Sequence, residues 1–239
     1  MSYKALVTGG TRGIGGAIAS RLIADGFDCT ITGTGPDKPS HVADSASYLA
    51  ADFGKRKDVE FVCKHVSAGQ YDVIVNNVGI NIKGDSIEYA PDDFDRMVDV
   101  NLRSAFRLCQ SALGYMKLNS YGKIVNITSL WGVRGNPRNS VYCATKFGLD
   151  GLTTSLAPEF ASHGVLINSV APGYIMTEAA KEAFSDEALA DVERYIPVGR
   201  LGQPSEVASL VSWLVSKENS YLTGQNIIID GGLTRTAFP

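Results

Sequence analysis

Short runs of apolar, mostly β-branched residues recur along this chain at intervals that leave room for a helix between most of them, and no other feature restricts its fold so strongly. The runs are Ala5 to Val7, Cys29 to Thr32, Val73 to Val75, Lys123 to Ile127, Val165 to Val170 and Ile227 to Ile229, and they read as strands. Ser47 to Ala50 reads as a seventh, short strand. Ile14, Ile18 and Leu22 share one helical face in the first interval, Val59, Val62 and Val66 share another, and helices are expected over Phe94 to Tyr115 and Tyr142 to Phe160. Strands alternating with helices imply right-handed crossovers and a parallel sheet covered on both faces. The expected fold is therefore α/β: a Rossmann-type doubly wound parallel sheet of about seven strands with helices on both faces, in a single domain over residues 1–239.

The one departure from the alternation is Tyr174 to Gln203. Its charged helical stretch, Glu178 to Tyr195, is bracketed by Pro172-Gly173 and by Gly199 to Pro204, so residues 174–203 are expected to move as a substrate lid, with Pro204 opening the last helix. A hydrophobic fraction of 44% against 20% charged residues excludes a disordered chain. The net charge of −3, with 22 basic residues scattered along the chain, excludes a phosphate-backbone footprint and hence a nucleic-acid partner. No apolar stretch reaches membrane-spanning length and the first residues lack a signal-peptide pattern, so a cytoplasmic protein with no membrane partner is expected. Cys29, Cys63, Cys109 and Cys143 form no C-x-x-C pair, and His41, His65 and His163 have no ligand spacing. Buried, reduced thiols and no metal are expected.

The first strand runs into Thr8-Gly9-Gly10-Thr11-Arg12-Gly13-Ile14-Gly15-Gly16, and an amphipathic helix follows at once. Glycines let a pyrophosphate approach the backbone, and the unpaired N–H groups and positive end of the helix stabilise it there. Strand, glycines and helix in that order mark a dinucleotide site. At the end of the second strand, where NAD sites place a carboxylate against the ribose hydroxyls, the residues are Thr32-Gly33-Thr34-Gly35. Arg12 and Thr34 suit the extra charge of NADP, so NADP(H) is favoured, and nearby Asp37 keeps NAD(H) as the alternative.

Tyr142 and Lys146 lie four residues apart on an expected helix and project from one face. A lysine cation close to a phenol favours the phenolate and lowers its pKa, which would fit Tyr142 as the general acid for a carbonyl oxygen receiving hydride. Ser129 follows the fifth strand at its carboxyl end, where open α/β sheets bind ligands, and its hydroxyl is placed to hold the substrate oxygen.

In order and spacing, the glycine turn, Asn76-Asn77-Val78-Gly79, Asn101, Ser129, Tyr142 with Lys146, and Pro172-Gly173 resemble the short-chain dehydrogenase/reductase family over essentially the whole chain. The resemblance implies an oxidoreductase in which Ser129 orients the carbonyl, Tyr142 transfers the proton, Lys146 tunes the tyrosine and binds the nicotinamide ribose, and Asn101 positions a water in a relay to Lys146. It implies cofactor contacts from Gly9, Thr11, Arg12, Gly13, Ile14 and Gly15, then Thr34, Asn77 and Gly79, then Tyr142, Lys146, Pro172 and Gly173. Asp52 and Phe53 would meet the adenine, and Ile175 and Thr177 the nicotinamide amide and phosphate. Val78 stands where the family more often has alanine. A homotetramer, with the helices around 101 to 118 and 141 to 160 at the interface, is implied as well. A non-catalytic cofactor-binding scaffold would be expected to lack Ser129 or break the Tyr142 and Lys146 pair, and both are intact.

The stretches Val198-Gly199-Arg200-Leu201-Gly202 and Ile229-Asp230-Gly231-Gly232 are similar to those of 3-oxoacyl-acyl-carrier-protein reductases, which makes a 3-oxoacyl thioester the first expected substrate. An acidic carrier protein needs exposed basic residues beside the active-site entrance. Where that subgroup is expected to have arginines, before the fifth and sixth strands, this chain has Ser120 and His163, leaving Lys117, Lys123 and Arg107 to compensate. The loop from Ser129 to Tyr142 carries Trp131, Arg134, Asn136, Pro137 and Arg138 as one pocket wall. A sugar or another small polar ketone is the alternative substrate.

Overall fold

Alternate residues of each central strand face opposite ways, so a strand covered on both sides must be apolar throughout. In a computed structural model, which describes residues 2–236, Leu6, Ile74, Ile124 and Ile167 enter one core layer, and Ala5, Val7, Val73, Val75 and Val125 the other. The strands are β1 (Lys4–Val7), β2 (Asp28–Gly33), β3 (Ser47–Ala50), β4 (Val73–Asn76), β5 (Gly122–Ile127), β6 (Val165–Pro172) and β7 (Asn226–Ile229). They form one all-parallel sheet in the order β3-β2-β1-β4-β5-β6-β7. Helices α1 (Gly13–Ala24) and α8 (Pro204–Val215) pack together on one face, while α2 (Arg56–Gly69), α4 (Ser104–Leu118) and α5 (Ser140–Ala161) cover the other. Pro204 opens α8 as expected, and Glu206 closes a capping box with Gln203.

Three elements differ from the sequence expectation. The segment Phe94 to Tyr115 is two helices, α3 (Pro91–Val98) and α4, joined by a π-helical turn at Asp99–Arg103; one extra residue in a turn leaves no trace in apolar spacing. The charged stretch Glu178 to Tyr195 is likewise two helices, α6 (Glu178–Ala183) and α7 (Asp186–Tyr195), because the Ser185 hydroxyl accepts a hydrogen bond from Ala188 N and starts a second helix. The segment 174–203 is not the only departure from alternation, since residues 34–46 connect β2 to β3 without a helix. Lys38 Nζ donates to the carbonyls of Ala43, Asp44 and Ala46 and ties this connection into a compact loop.

All four cysteines are buried, and burial pushes the Cys29 and Cys109 thiols up to about 12. No helix among the described residues is long and apolar enough to cross a membrane, and none of their His, Cys, Asp and Glu side chains form a metal-holding group of three.

Candidate active site

The glycine turn between β1 and α1 is built by contacts that allow no side chain. A Cβ on Gly15 would lie 2.2 Å from the Gly9 carbonyl oxygen, and Gly9 itself has φ +63. Asn77 holds the turn from β4: its backbone N–H donates to Thr8 Oγ1 at 2.9 Å and its side-chain Nδ2 to the carbonyl of Thr8 at 2.8 Å. Thr8, which the sequence reading did not single out, is thus the joint between β1 and the β4 end. In front of this turn runs a groove of about 460 Å³, lined by Arg12, Ile14, Thr34, Asp52, Asn77 and Gly79 among others. Gly9, Thr11, Gly13, Gly15, Phe53 and Thr177 border the same groove.

The groove continues, through Ile14, Asn77, Gly79 and Ile80, into a cavity of about 230 Å³ at the carboxyl ends of β5 and β6. There Ser129, Tyr142, Lys146, Pro172 and Gly173 come together. Ser129 begins a 3-10 turn over Leu130–Gly132, its Oγ accepting from Trp131 N at 3.1 Å. That turn presses on α5: a Cβ at Gly132 would sit 2.9 Å from Lys146 Cβ and 3.0 Å from the α5 backbone. Close packing at Gly132 therefore brings the Ser129 turn against the helix that carries Tyr142 and Lys146.

Lys146 is 3% exposed and donates from Nζ to the Ile127 carbonyl at 2.9 Å. Burial brings its pKa down to about 8. Its Nζ lies 5.7 Å from the Tyr142 ring centroid. The lowered tyrosine pKa expected from that neighbour is not what the site gives: burial raises the Tyr142 phenol, with the Ser129 hydroxyl working the other way. The phenol stays protonated, and Lys146 points its charge at a backbone carbonyl.

Asn101 sits in the π-helical turn, fully buried. Its Oδ1 accepts from Ile80 N at 2.8 Å, and its Nδ2 donates to the Ile80 carbonyl at 2.9 Å and to Thr145 Oγ1 at 3.0 Å. Thr145 in turn donates to the Tyr142 carbonyl. A Cβ on Gly79 would lie 3.1 Å from Lys146 Nζ and 3.5 Å from Asn101 Oδ1, so both groups flank one point of the groove wall. Beneath them lies a buried polar ladder missed by the sequence reading: Asn76 donates to Asn126, Asn126 to Thr153, and Thr153 bonds Ser169. Asparagines at the ends of two apolar runs were its only signal.

Some expected residues take other positions. Ile175 lines neither part of the groove: its side chain is buried in the core with Val207 and Val211, and it bridges to Gly202. Phe53 borders the groove, yet its side chain is packed in the opposite core layer. Asp52 accepts from Gly54 N and pairs with Lys55 at 3.4 Å. Thr177 caps α6 through its hydroxyl. Trp131 packs edge-on to Tyr174, over a small cluster with Leu130, Ile196 and Leu201, which is the behaviour of an apolar wall.

Positions weighed for carrier docking lie away from the cavity or are buried. Ser120 and His163 precede β5 and β6, and the parallel register from Gly122 and Val165 to Ile127 and Val170 puts them at the opposite end of the sheet from Ser129 and Tyr142. Lys123 is buried and donates to the Asn219 carbonyl, so it offers no surface charge. On the pocket-wall loop between Ser129 and Tyr142, Arg138 pairs with Asp85 at 3.2 Å.

Comparison with known proteins adds to this geometry. A family model described as enoyl-(acyl carrier protein) reductase matches residues 9–234. The chain is 37% identical over 233 residues to a 3-oxoacyl-acyl-carrier-protein reductase of Rickettsia bellii, covering 96% of this chain and 95% of that protein. It is 38% identical over 246 residues to the reductase of the same description from Salmonella typhimurium, covering 98% and 99%. Among solved structures, one described as an NAD(P)-dependent gluconate 5-dehydrogenase from Beutenbergia cavernae with bound NADP superposes with a TM-score of 0.92 at 33% identity, over 98% of this chain and 97% of that one.

Proposed function

From the premise that this chain belongs to the short-chain dehydrogenase/reductase family and is an oxidoreductase of alcohols and ketones, we propose that it is an NADP(H)-dependent reductase of 3-oxoacyl thioesters. The observation that carries the reading is the meeting of Ser129, Tyr142 and Lys146 in one cavity that opens from the glycine-turn groove. The near full-length similarity to 3-oxoacyl reductases supports the substrate class.

The groove fits a dinucleotide: its floor is a turn that a Cβ would fill, and Arg12 and Thr34 line it with no carboxylate at residues 33–35. Arg12 and Thr34 would hold the 2′-phosphate end, the glycine turn the pyrophosphate, and Gly79, Lys146 and Gly173 the nicotinamide end. When bound, the nicotinamide supplies hydride. Ser129 orients the substrate oxygen, and Tyr142, held protonated by burial, donates the proton to that oxygen. Lys146 is a buried cation beside the phenol that steadies the oxygen as its proton leaves, and Asn101 fixes Ile80 and Thr145 around both. The segment 174–203 closes over the cavity as a lid, and the fold is one domain.

A second reading, reduction of a sugar or similar polar ketone, is favoured by one observation: Asn81 borders the catalytic cavity and is held there by its bond to buried Asn139 at 2.8 Å, placing one fixed carboxamide where a hydroxyl could be recognised. Similarity to the gluconate dehydrogenase structure supports it as well. The deciding assay is oxidation of NADPH with a short 3-oxoacyl thioester, against polyol-dependent reduction of NADP⁺. Turnover only with polyols would overturn the thioester reading. Tyr142→Phe should cut turnover by about 10²–10⁴-fold while NADPH still binds; near-normal turnover would remove Tyr142 from the chemistry.

A further inference from the structure

The helix-free connection 34–46 folds back on the glycine turn. Tyr48 donates to the Gly35 carbonyl at 2.5 Å, Lys38 ties the far side of the loop, and His41 Nε2 lies 2.7 Å from the Thr11 carbonyl oxygen. A carbonyl oxygen only accepts, so Nε2 carries hydrogen in either protonation state and an added proton must arrive on Nδ1. Between this loop and α1 opens a chamber of about 310 Å³, bordered by Thr11, Arg12, Gly13, Ser20, His41 and Glu178. Thr11, Arg12, Gly13 and Glu178 also border the nucleotide groove, so the two spaces meet across the turn.

Resting on the NADP(H) reading above, we propose that the 2′-phosphate of the cofactor sits where this chamber meets the groove at Arg12, and that His41, protonated, is a ligand of that phosphate beside Arg12. Arg12 faces the chamber from the glycine turn and Glu178 from α6, while the loop itself carries Asp37, Lys38 and Asp44 and the sides given by α1 and α8 are uncharged. Glu178 opposes an anion and Arg12 favours one, so the imidazolium decides the balance. Histidine is in general the side chain whose charge changes between pH 5 and 8, and a phosphate beside an imidazole favours the charged form. Selectivity for NADPH over NADH is thereby linked to a proton: the His41 contribution is present at low pH and lost as pH rises.

The test is direct binding of NADPH and of NADH, by quenching of protein fluorescence, to the wild type, His41→Gln, His41→Lys and Arg12→Ala between pH 6 and 8.5. Glutamine still donates to the Thr11 carbonyl, which keeps the loop anchored while removing the charge. NADPH affinity of the wild type should exceed that of His41→Gln by about five-fold at pH 6, roughly one charge-assisted hydrogen bond, and match it by pH 8.5. His41→Lys should hold its affinity across the range, and NADH affinity should be the same in all three. Equal NADPH affinity of wild type and His41→Gln at pH 6, or a loss that does not change with pH, overturns the assignment of His41 while a selectivity lost in Arg12→Ala still upholds the NADP(H) reading. No preference for NADPH in the wild type, with no effect of Arg12→Ala, overturns that reading itself.

Discussion

Lys146 shows how a single buried charge divides stability from activity. An unfolded lysine keeps its proton to about pH 10.4, whereas burial releases the Lys146 proton near pH 8. Between those values the unfolded chain binds more protons than the folded one, so this group's contribution makes the fold more stable as pH rises through that window. Below pH 8 the buried cation costs on the order of 3 kcal/mol even with its bond to the Ile127 carbonyl in place. Lys146→Met should therefore abolish turnover while leaving stability at pH 7, measured by urea unfolding, equal to the wild type or about 1–2 kcal/mol above it. A clear loss of stability would show the ammonium to be a structural necessity. The rate of ketone reduction should fall above about pH 8 as Lys146 loses its charge; Tyr142, raised by burial, keeps its proton there.

At the scale of elements, two irregularities bring function to regular parts. The π-helical turn rotates Asn101 inward so that one carboxamide satisfies both backbone groups of Ile80, and the 3-10 turn after Ser129 sets that hydroxyl against α5. The segment 174–203, proposed as a lid, is joined to the scaffold at its base, where Ile175 bridges to Gly202 and Arg200 grips Glu206 at 2.9 and 2.8 Å. At its outer side a weaker contact joins the break between α6 and α7 to the loop after β4, Lys83 Nζ lying 5.2 Å from the Phe184 ring centroid. A cation–π contact at such a site contributes about 0.5–1 kcal/mol. If the segment closes over substrate, Lys83→Ala should raise KM by about two- to five-fold with kcat nearly unchanged, in steady-state kinetics; an unchanged KM would mean that this contact has no part in closure.

Over the whole molecule, the outer faces of α4 and α5 present Phe106, Leu118 and Phe147 to solvent, with Gly114 and Gly151 having nothing within 4 Å of an added Cβ. Small residues among exposed apolar ones allow helices of a second copy to approach closely, which fits the homotetramer that the family resemblance implies. Gly151→Arg should leave the fold of each chain intact and reduce the mass seen in sedimentation to that of a dimer or monomer. An unchanged assembly would place the interface elsewhere.

What was legible in the sequence was what neighbours along the chain decide. Strand positions follow from apolar runs, and the glycine turn from the backbone angles and close approaches that only glycine permits, as at Gly9 and Gly15. The side-by-side placement of Tyr142 and Lys146 follows from helical periodicity alone. Contacts between distant segments were decided by the tertiary structure. Gly132 packing on Lys146, Lys123 turned inward to Asn219, Ile175 committed to the core, and His41 laid against Thr11 each depend on which surfaces meet. The sign of the Tyr142 shift belongs to the same class: helical spacing supplies a lysine neighbour, but burial, which opposes the phenolate, exists only once the sheet and helices have closed around it.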